Sequence, residues 1–290
     1  MNVVELTIEN VSRFVEEANA LIGAGHPEWQ KFVEGTKFVA TPTILDPDDP
    51  AYLDEQLRFW RIASGRKSYR TLECEANNNL DGVTSIRQFY PFVSGNPVEI
   101  GRYFHGVANI VESIGAKPPG RVAEFGVGWG HTVRLLAAAG YKVSAIDIEK
   151  RFLNFTDGFA LPGATHVEAI NASFTEASFP ANSLDAAIFF ESFHHCLEFR
   201  TLLKNLHGFL KPGGRIIFEA ESFYDDWYDI PWGLRLDGHS IWAIRNFGWM
   251  ELGFRKTYIG RILDRLGFSL SWSSLGAAGA YGERLIAIRA

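Results

Sequence analysis

Apolar residues in the second half of the chain fall into short runs, separated by stretches with helical spacing. The runs at 122–125, 142–147, 165–170, 184–192 and 215–221 read as strands. The stretch 184–192 (LDAAIFFES) is nearly continuously apolar, which suits a strand buried on both faces. Between these runs, 131–139 carries good helix formers and stops at Gly140, and 150–159 reads as a second helix. The amphipathic stretch 199–210 is a third, ended by a turn at Lys211-Pro212-Gly213-Gly214. A further helix is expected at 252–267, and FSLSW (268–272) with ERLIAIR (283–289) reads as a closing pair of strands. Strands alternating with helices predict an α/β fold, a mostly parallel sheet with helices on both faces.

The first hundred residues are patterned differently. Helical spacing is found at 8–25 and 51–65, with a Pro- and Asp-rich loop at 41–50 between them. Residues 67–97 are polar and punctuated, which predicts loops and short strands, and 98–115 is helical again. The expected organisation is a helical extension or cap at 1–114 followed by one domain at 115–290. Residues 222–250 interrupt that domain's alternation. They hold Trp227, Trp232, Trp242 and Trp249, half of the chain's eight tryptophans, and read as an aromatic-rich insertion.

Composition narrows the classes. A chain of 290 residues, 47% of them hydrophobic, can bury a sizeable core. A net charge of −6 argues against a general nucleic-acid or anionic-membrane surface. The first ten residues lack the basic start and apolar run of a signal peptide, and no stretch has the length of a membrane span. The two cysteines, Cys74 and Cys196, make no disulfide framework or zinc site and fit a reducing cytoplasm.

The candidate chemistry is centred on 121–150, which reads as strand, glycine-rich turn, helix, strand. Gly126, Gly128 and Gly130 let the backbone turn tightly and approach a ligand. The second strand delivers Asp147, about 20 residues beyond the first glycine. A carboxylate there offers two acceptor oxygens to the two donors of a ribose diol. The dinucleotide fingerprint G-x-G-x-x-G requires a glycine at 131, where this chain has His131, which counts against a nicotinamide oxidoreductase.

The pattern E-F-G-V-G-W-G at 124–130, with the spaced Asp147, resembles the first motif of class I S-adenosylmethionine (SAM) methyltransferases of the broad type-11 kind. The K-P-G-G turn and the closing antiparallel hairpin are features of the same family. The resemblance implies a Rossmann-like seven-stranded sheet and SAM as cofactor. It further implies that Glu124, Gly126, Gly128 and Gly130 shape the methionine pocket, Asp147 holds the ribose, and Ile148 packs against adenine. Asn171 stands near the adenine amine, where the family more often has Asp.

Methyl transfer is an in-line displacement, so the protein mainly positions two partners and excludes water. A hydroxyl acceptor benefits from a general base, expected at the carboxyl ends of the fourth and fifth strands. The fourth ends in Glu191-Ser192-Phe193-His194-His195. His194 or His195 is the candidate base, since histidine titrates near neutrality, with loop ordering as the bland alternative. Glu191 is a candidate for the cofactor's methionine end or the acceptor pocket. Glu219 and Glu221 end the fifth strand and share a face if the strand stays regular. Asp225, Asp226, Asp229, Asp237 and His239 offer oxygen-rich chemistry for Mg²⁺, yet their spacing matches no metal motif. A solvated acidic loop is the preferred reading, and no metal is expected.

EFGVGWG, FFESFHHC and the long phrase at 231–254 together resemble a bacterial subgroup of methyltransferase domains that accompany glycosyltransferases. That resemblance implies a saccharide hydroxyl as acceptor. A small natural product, or SAM binding without catalysis, is the alternative. DNA or protein N-methylation is weaker, because the fourth strand lacks an N-P-P-Y-type tip.

Overall fold

A computed structural model describes residues 2–24, 26, 28–76, 78, 80–158, 161–225, 230–274 and 283–290. The chain divides into two compact units, Met1–Asn78 with Tyr224–Arg255, and Asn79–Phe223 with Lys256–Ala290. This division falls elsewhere than the expected 114/115 boundary. Helix α5 (Pro97–Ser113) belongs to the second unit, because Val107 and Ile110 join its apolar core. Nearly all of the aromatic-rich stretch belongs to the first.

In the first unit, β1 (Asn2–Glu5) runs parallel to β2 (Thr36–Val39). Helix α1 (Ile8–Gly23) starts where Thr7 accepts the Asn10 N–H, and buries Val11, Phe14, Val15 and Ala18 as one stripe. Two short helices follow the same unit's chain, α2 (Trp29–Glu34) and α4 (Thr71–Cys74). Between them, α3 (Pro50–Ser64) has Asp49 as its cap and Pro50 in its first turn. Its Tyr52 and Trp60 are fully buried; Tyr52 donates to the Trp232 carbonyl and Trp60 Nε1 to the Trp249 carbonyl at 3.1 Å. The chain returns to this unit at the two-residue β8 (Phe223–Tyr224), and β9 (Trp232–Leu234) and α9 (Gly238–Phe247) follow. β10 (Leu252–Arg255) then pairs antiparallel with β9. The helix expected at 252–267 is therefore shorter: Leu252 and Phe254 alternate as buried strand residues, and α10 (Lys256–Arg265) begins only afterwards.

The second unit carries the seven-stranded sheet, in the order β11-β12-β7-β6-β3-β4-β5. Its strands are β3 (Arg121–Phe125), β4 (Lys142–Asp147), β5 (Val167–Asn171), β6 (Leu184–Phe190), β7 (Leu210–Glu221), β11 (Phe268–Ser274) and β12 (Glu283–Arg289). Pairing is parallel from β5 to β7, and β12 runs antiparallel to both β7 and β11. Helices α6 (His131–Ala138), α7 (Lys150–Gly158) and α8 (Phe199–Phe209) connect the parallel strands. This is the Rossmann-like architecture expected. The order reverses between β3 and β6, so the crevice suited to a ligand lies at the carboxyl ends of β3, β4 and β6.

Two local readings are corrected. Lys211–Gly214 does not precede the fifth strand as a separate turn but bulges within β7: Leu184 pairs with Leu210, and Ala186 with Arg215. Within 67–97 the described residues form α4 and 3₁₀ turns at Ile86–Gln88 and Phe92–Ser94, with no strand. Among the described residues neither cysteine forms a disulfide, and both are buried. No described helix is long and apolar enough to cross a membrane.

Aromatic rings knit the sheet: Phe189 of β6, fully buried, stacks on Phe125 at 5.0 Å and on Phe218 at 5.4 Å. Phe189→Ala removes both contacts and leaves a cavity. Urea unfolding is expected to show a loss of about 3–5 kcal/mol.

Candidate active site

The glycine turn is shaped by two close approaches and one opening. A Cβ at Gly126 would lie 2.7 Å from Ser192 Cβ, and one at Gly130 would lie 2.8 Å from Thr156 Cγ2. A Cβ at Gly128 would meet nothing within 4 Å, so a ligand can reach the backbone there. The Gly128 N–H donates to Asp147 Oδ2 at 3.1 Å, and the Glu149 N–H donates to Oδ1 at 2.9 Å. Each carboxylate oxygen keeps a second lone pair for a hydroxyl. Burial pushes Asp147 up to about 6, against these amides. Asn171 donates its amide to the carbonyls of Asp147 (3.0 Å) and Ile148 (2.9 Å), leaving its own oxygen to accept from an amine. Ile148 is half-buried between these groups.

Glu124 is 3% exposed at the end of β3, and its Oε2 has no hydrogen-bond partner. Burial pushes its carboxyl up to about 8. An incoming cationic donor would offset that desolvation and favour the carboxylate. Tyr103 of α5 lies within the field of Glu124 and Glu191, and burial raises its hydroxyl well above the usual range.

His131 has a fixed tautomer. Arg134 can only donate, so Nδ1 accepts from it at 2.9 Å and the Nε2–H donates to the Tyr90 carbonyl at 2.9 Å. Burial and the Arg134 charge push His131 down to about 4, so it is neutral. Phe89 stacks on Trp129 at 4.9 Å, and together these contacts hold residues 86–94 against the glycine turn. Sequence reasoning missed Phe89, Tyr90 and Tyr103. The one signal available was the expected helix at 98–115.

The Ser192 hydroxyl donates to the Phe125 carbonyl at 2.7 Å, which brings the histidine pair beside the glycine turn. Glu221, fully buried, accepts the N–H groups of Ser192 (2.8 Å) and Phe193 (2.7 Å), and His194 Nδ1 lies 2.8 Å away. Burial alone would raise Glu221; His194 and the amides outweigh it and hold the carboxyl below its usual range. An ionised Glu221 fixes the proton on His194 Nδ1 and makes Nε2 the basic nitrogen. The His195 ring lies 4.4 Å from that of His194 and is half-buried. Glu191 sits at φ 50, a strained backbone of the kind found at functional sites, with its N–H bonded to the Glu219 carbonyl at 3.1 Å.

Glu219 and Glu221 do not act together. Ala220 between them has φ 58, which breaks the strand's alternation. Glu219 turns to α5 and accepts from Asn109 at 3.0 Å, while Glu221 meets the histidines. In the first unit, Trp232 is 4% exposed and packs on Tyr52, so it is a core side chain and not an open platform. Trp249 stacks on Phe247 at 4.3 Å, and Trp242 donates to Asn19 at 2.8 Å. Asp237 caps α9 and pairs with Arg235 at 3.1 Å, a structural role. Asp226, Trp227 and Asp229 lie outside the described residues.

Residues 123–218 match the methyltransferase-domain family. Uncharacterized methyltransferases of Bacillus thuringiensis and Bacillus cereus are 30% identical over 145 residues, covering 48% of this chain. The match spans 65% of those relatives, less than two thirds of their length. Among solved structures, an S-adenosylmethionine-dependent methyltransferase from Mesorhizobium loti aligns with a TM-score of 0.51 at 16% identity, over 65% of this chain and 98% of that one. The YcgJ protein of Bacillus subtilis aligns at 0.50 and 11% identity, over 64% and 98%. These structures share the fold.

The buried acids predict a pH dependence. Glu219 moves from 4.5 to about 7 on folding, chiefly through burial. Between those values the folded chain keeps a proton that the unfolded chain has lost. The stability linked to that proton is complete below 4.5 and is lost as pH rises through 7. Glu219→Gln cannot ionise, so relative to wild type it should gain up to about 3 kcal/mol between pH 5 and pH 8. Urea unfolding at the two pH values reads the difference directly.

Proposed function

We propose that the chain is a SAM-dependent methyltransferase acting on a hydroxyl acceptor, with His194 as general base and Glu221 as the residue that orients it. The carrying observation is the open backbone at Gly128, hydrogen-bonded to Asp147 and set beside the Glu124 carboxyl, whose Oε2 has no hydrogen-bond partner. The methyltransferase-domain match over these strands supports the same reading. The residues fit the cofactor: Glu124 suits the amino-acid end, Asp147 the ribose diol, Ile148 the adenine face, and the Asn171 oxygen the adenine amine. Bound SAM supplies an electrophilic methyl group on a sulfonium.

The chain's own residues do the rest. His194 Nε2 takes the proton of the attacking hydroxyl, and the Glu221 carboxylate stabilises the imidazolium that results. His195 and Glu191 line the same strand tip and bear on the acceptor. A saccharide hydroxyl is the preferred acceptor, supported by the ordered set of sequence phrases at 124–130, 189–196 and 231–254. The buried Trp232 gives that preference no added support.

Asp147→Ala should weaken SAM binding by about tenfold or more in calorimetry with the fold retained; unchanged affinity would overturn the ribose assignment. In single-turnover transfer, His194→Ala should slow the step by about 10²–10⁴. Glu221→Gln should lower the rate, because it removes the carboxylate that holds His194 through Nδ1. Wild-type rates in both His194→Ala and His195→Ala would remove the base. Labelled SAM, offered with bacterial glycans, glycolipids and small natural products, reads the acceptor. Binding without turnover across that panel would instead favour a non-catalytic SAM-binding protein.

A further inference from the structure

The sheet has a second concavity, at the end opposite the strand tips just described. A cavity of about 610 Å³ opens where the parallel strands begin. Arg121 and Lys142 are the first residues of β3 and β4, Lys211 lies near the start of β7, and the preceding loop adds Lys117. Asp185 and Glu168 are the acids in its lining.

Both acids are already neutralised. Asp185 accepts Lys211 Nζ at 2.8 Å and the Arg121 N–H at 2.7 Å. Glu168 accepts the Ser144 hydroxyl at 2.8 Å and Arg121 Nη2 at 3.3 Å. Four cationic side chains against two carboxylates leave two positive charges in surplus. That surplus belongs to Lys117 and Lys142, both exposed. It stands out in a chain whose net charge is −6.

The geometry points to a second binding site, for a small phosphate-bearing ligand, at the amino ends of β3, β4 and β7. Two ammonium groups supply the countercharge. The volume is that of a small-molecule site. The inference rests on the charge inventory of this cavity and stands apart from the methyltransferase reading.

Inorganic pyrophosphate is the probe, followed by calorimetry on the full chain. Saturable binding is expected, weaker at high salt, and reduced about tenfold or more by Lys117→Ala with Lys142→Ala. Both lysines are exposed, so the double variant should keep the wild-type melting temperature and SAM affinity. Ribose 5-phosphate run in parallel separates the sources: tighter binding than pyrophosphate identifies a phosphorylated metabolite, and weaker binding identifies free phosphate. Pyrophosphate that fails to saturate by about 10 mM, that binds the double variant equally, or that is displaced by SAM overturns the site.

Discussion

The bond from the Gly128 N–H to Asp147 is the contact on which the site depends. It ties the glycine turn after β3 to the tip of β4, so the two strand ends form one edge. The turn must present bare backbone there, yet bare backbone has no side chain to anchor it. Asp147 anchors it instead, and Glu149 and Asn171 fix the tip on which Asp147 sits. The outer glycines bring Ser192 and Thr156 close, which closes the turn from both sides while Gly128 stays open. A methyl group at Gly126 or Gly130 would disturb packing; one at Gly128 would intrude on the ligand's space.

Buried acids at the same edge are driven in opposite directions. Glu221 is surrounded by donors and stays ionised, whereas Glu124 lacks a partner for one oxygen and is pushed up to about 8. Environment alone separates two identical side chains. A permanently charged Glu221 can hold a histidine in its basic tautomer. A carboxyl that is neutral when empty can receive a cation without leaving a buried charge in its absence. Glu219, pushed up to about 7 between α5 and the sheet, has Asn109 on one oxygen and an unpartnered Oε2, and its burial is a drain on stability at high pH.

How much of this was legible in the sequence follows from the range of the forces involved. The central strands, the glycine turn and Asp147 were readable, because apolar runs and glycine placement are local signals. The closing hairpin was readable for the same reason. The opposed directions of Glu219 and Glu221 were not, since they turn on a positive φ at Ala220, a residue with no local preference for it. β10 reads locally as the start of a helix, because its pairing partner, Trp232–Leu234, lies about 20 residues away. Lys211–Gly214 carries turn chemistry, yet its neighbours in β6 absorb it as a bulge. The segment at 86–94 has no periodic pattern, and only tertiary contacts to His131 and Trp129 place it.

His131 shows why the third glycine of a dinucleotide site is not merely missing here. Its imidazole is 7% exposed and packs among Phe92, Tyr103 and Phe104, with ring centroids at 5.2, 5.5 and 5.5 Å. Both ring nitrogens are used, one by Arg134 and one by the Tyr90 carbonyl. A glycine at this position serves close helix–strand packing beneath a pyrophosphate. Here the same position holds a side chain that joins α6 to α5 and to the segment at 86–94. A glycine at 131 would remove the donor to the Tyr90 carbonyl and one of the acceptors of Arg134, so the substitution would loosen the segment at 86–94 and would not by itself create a dinucleotide site.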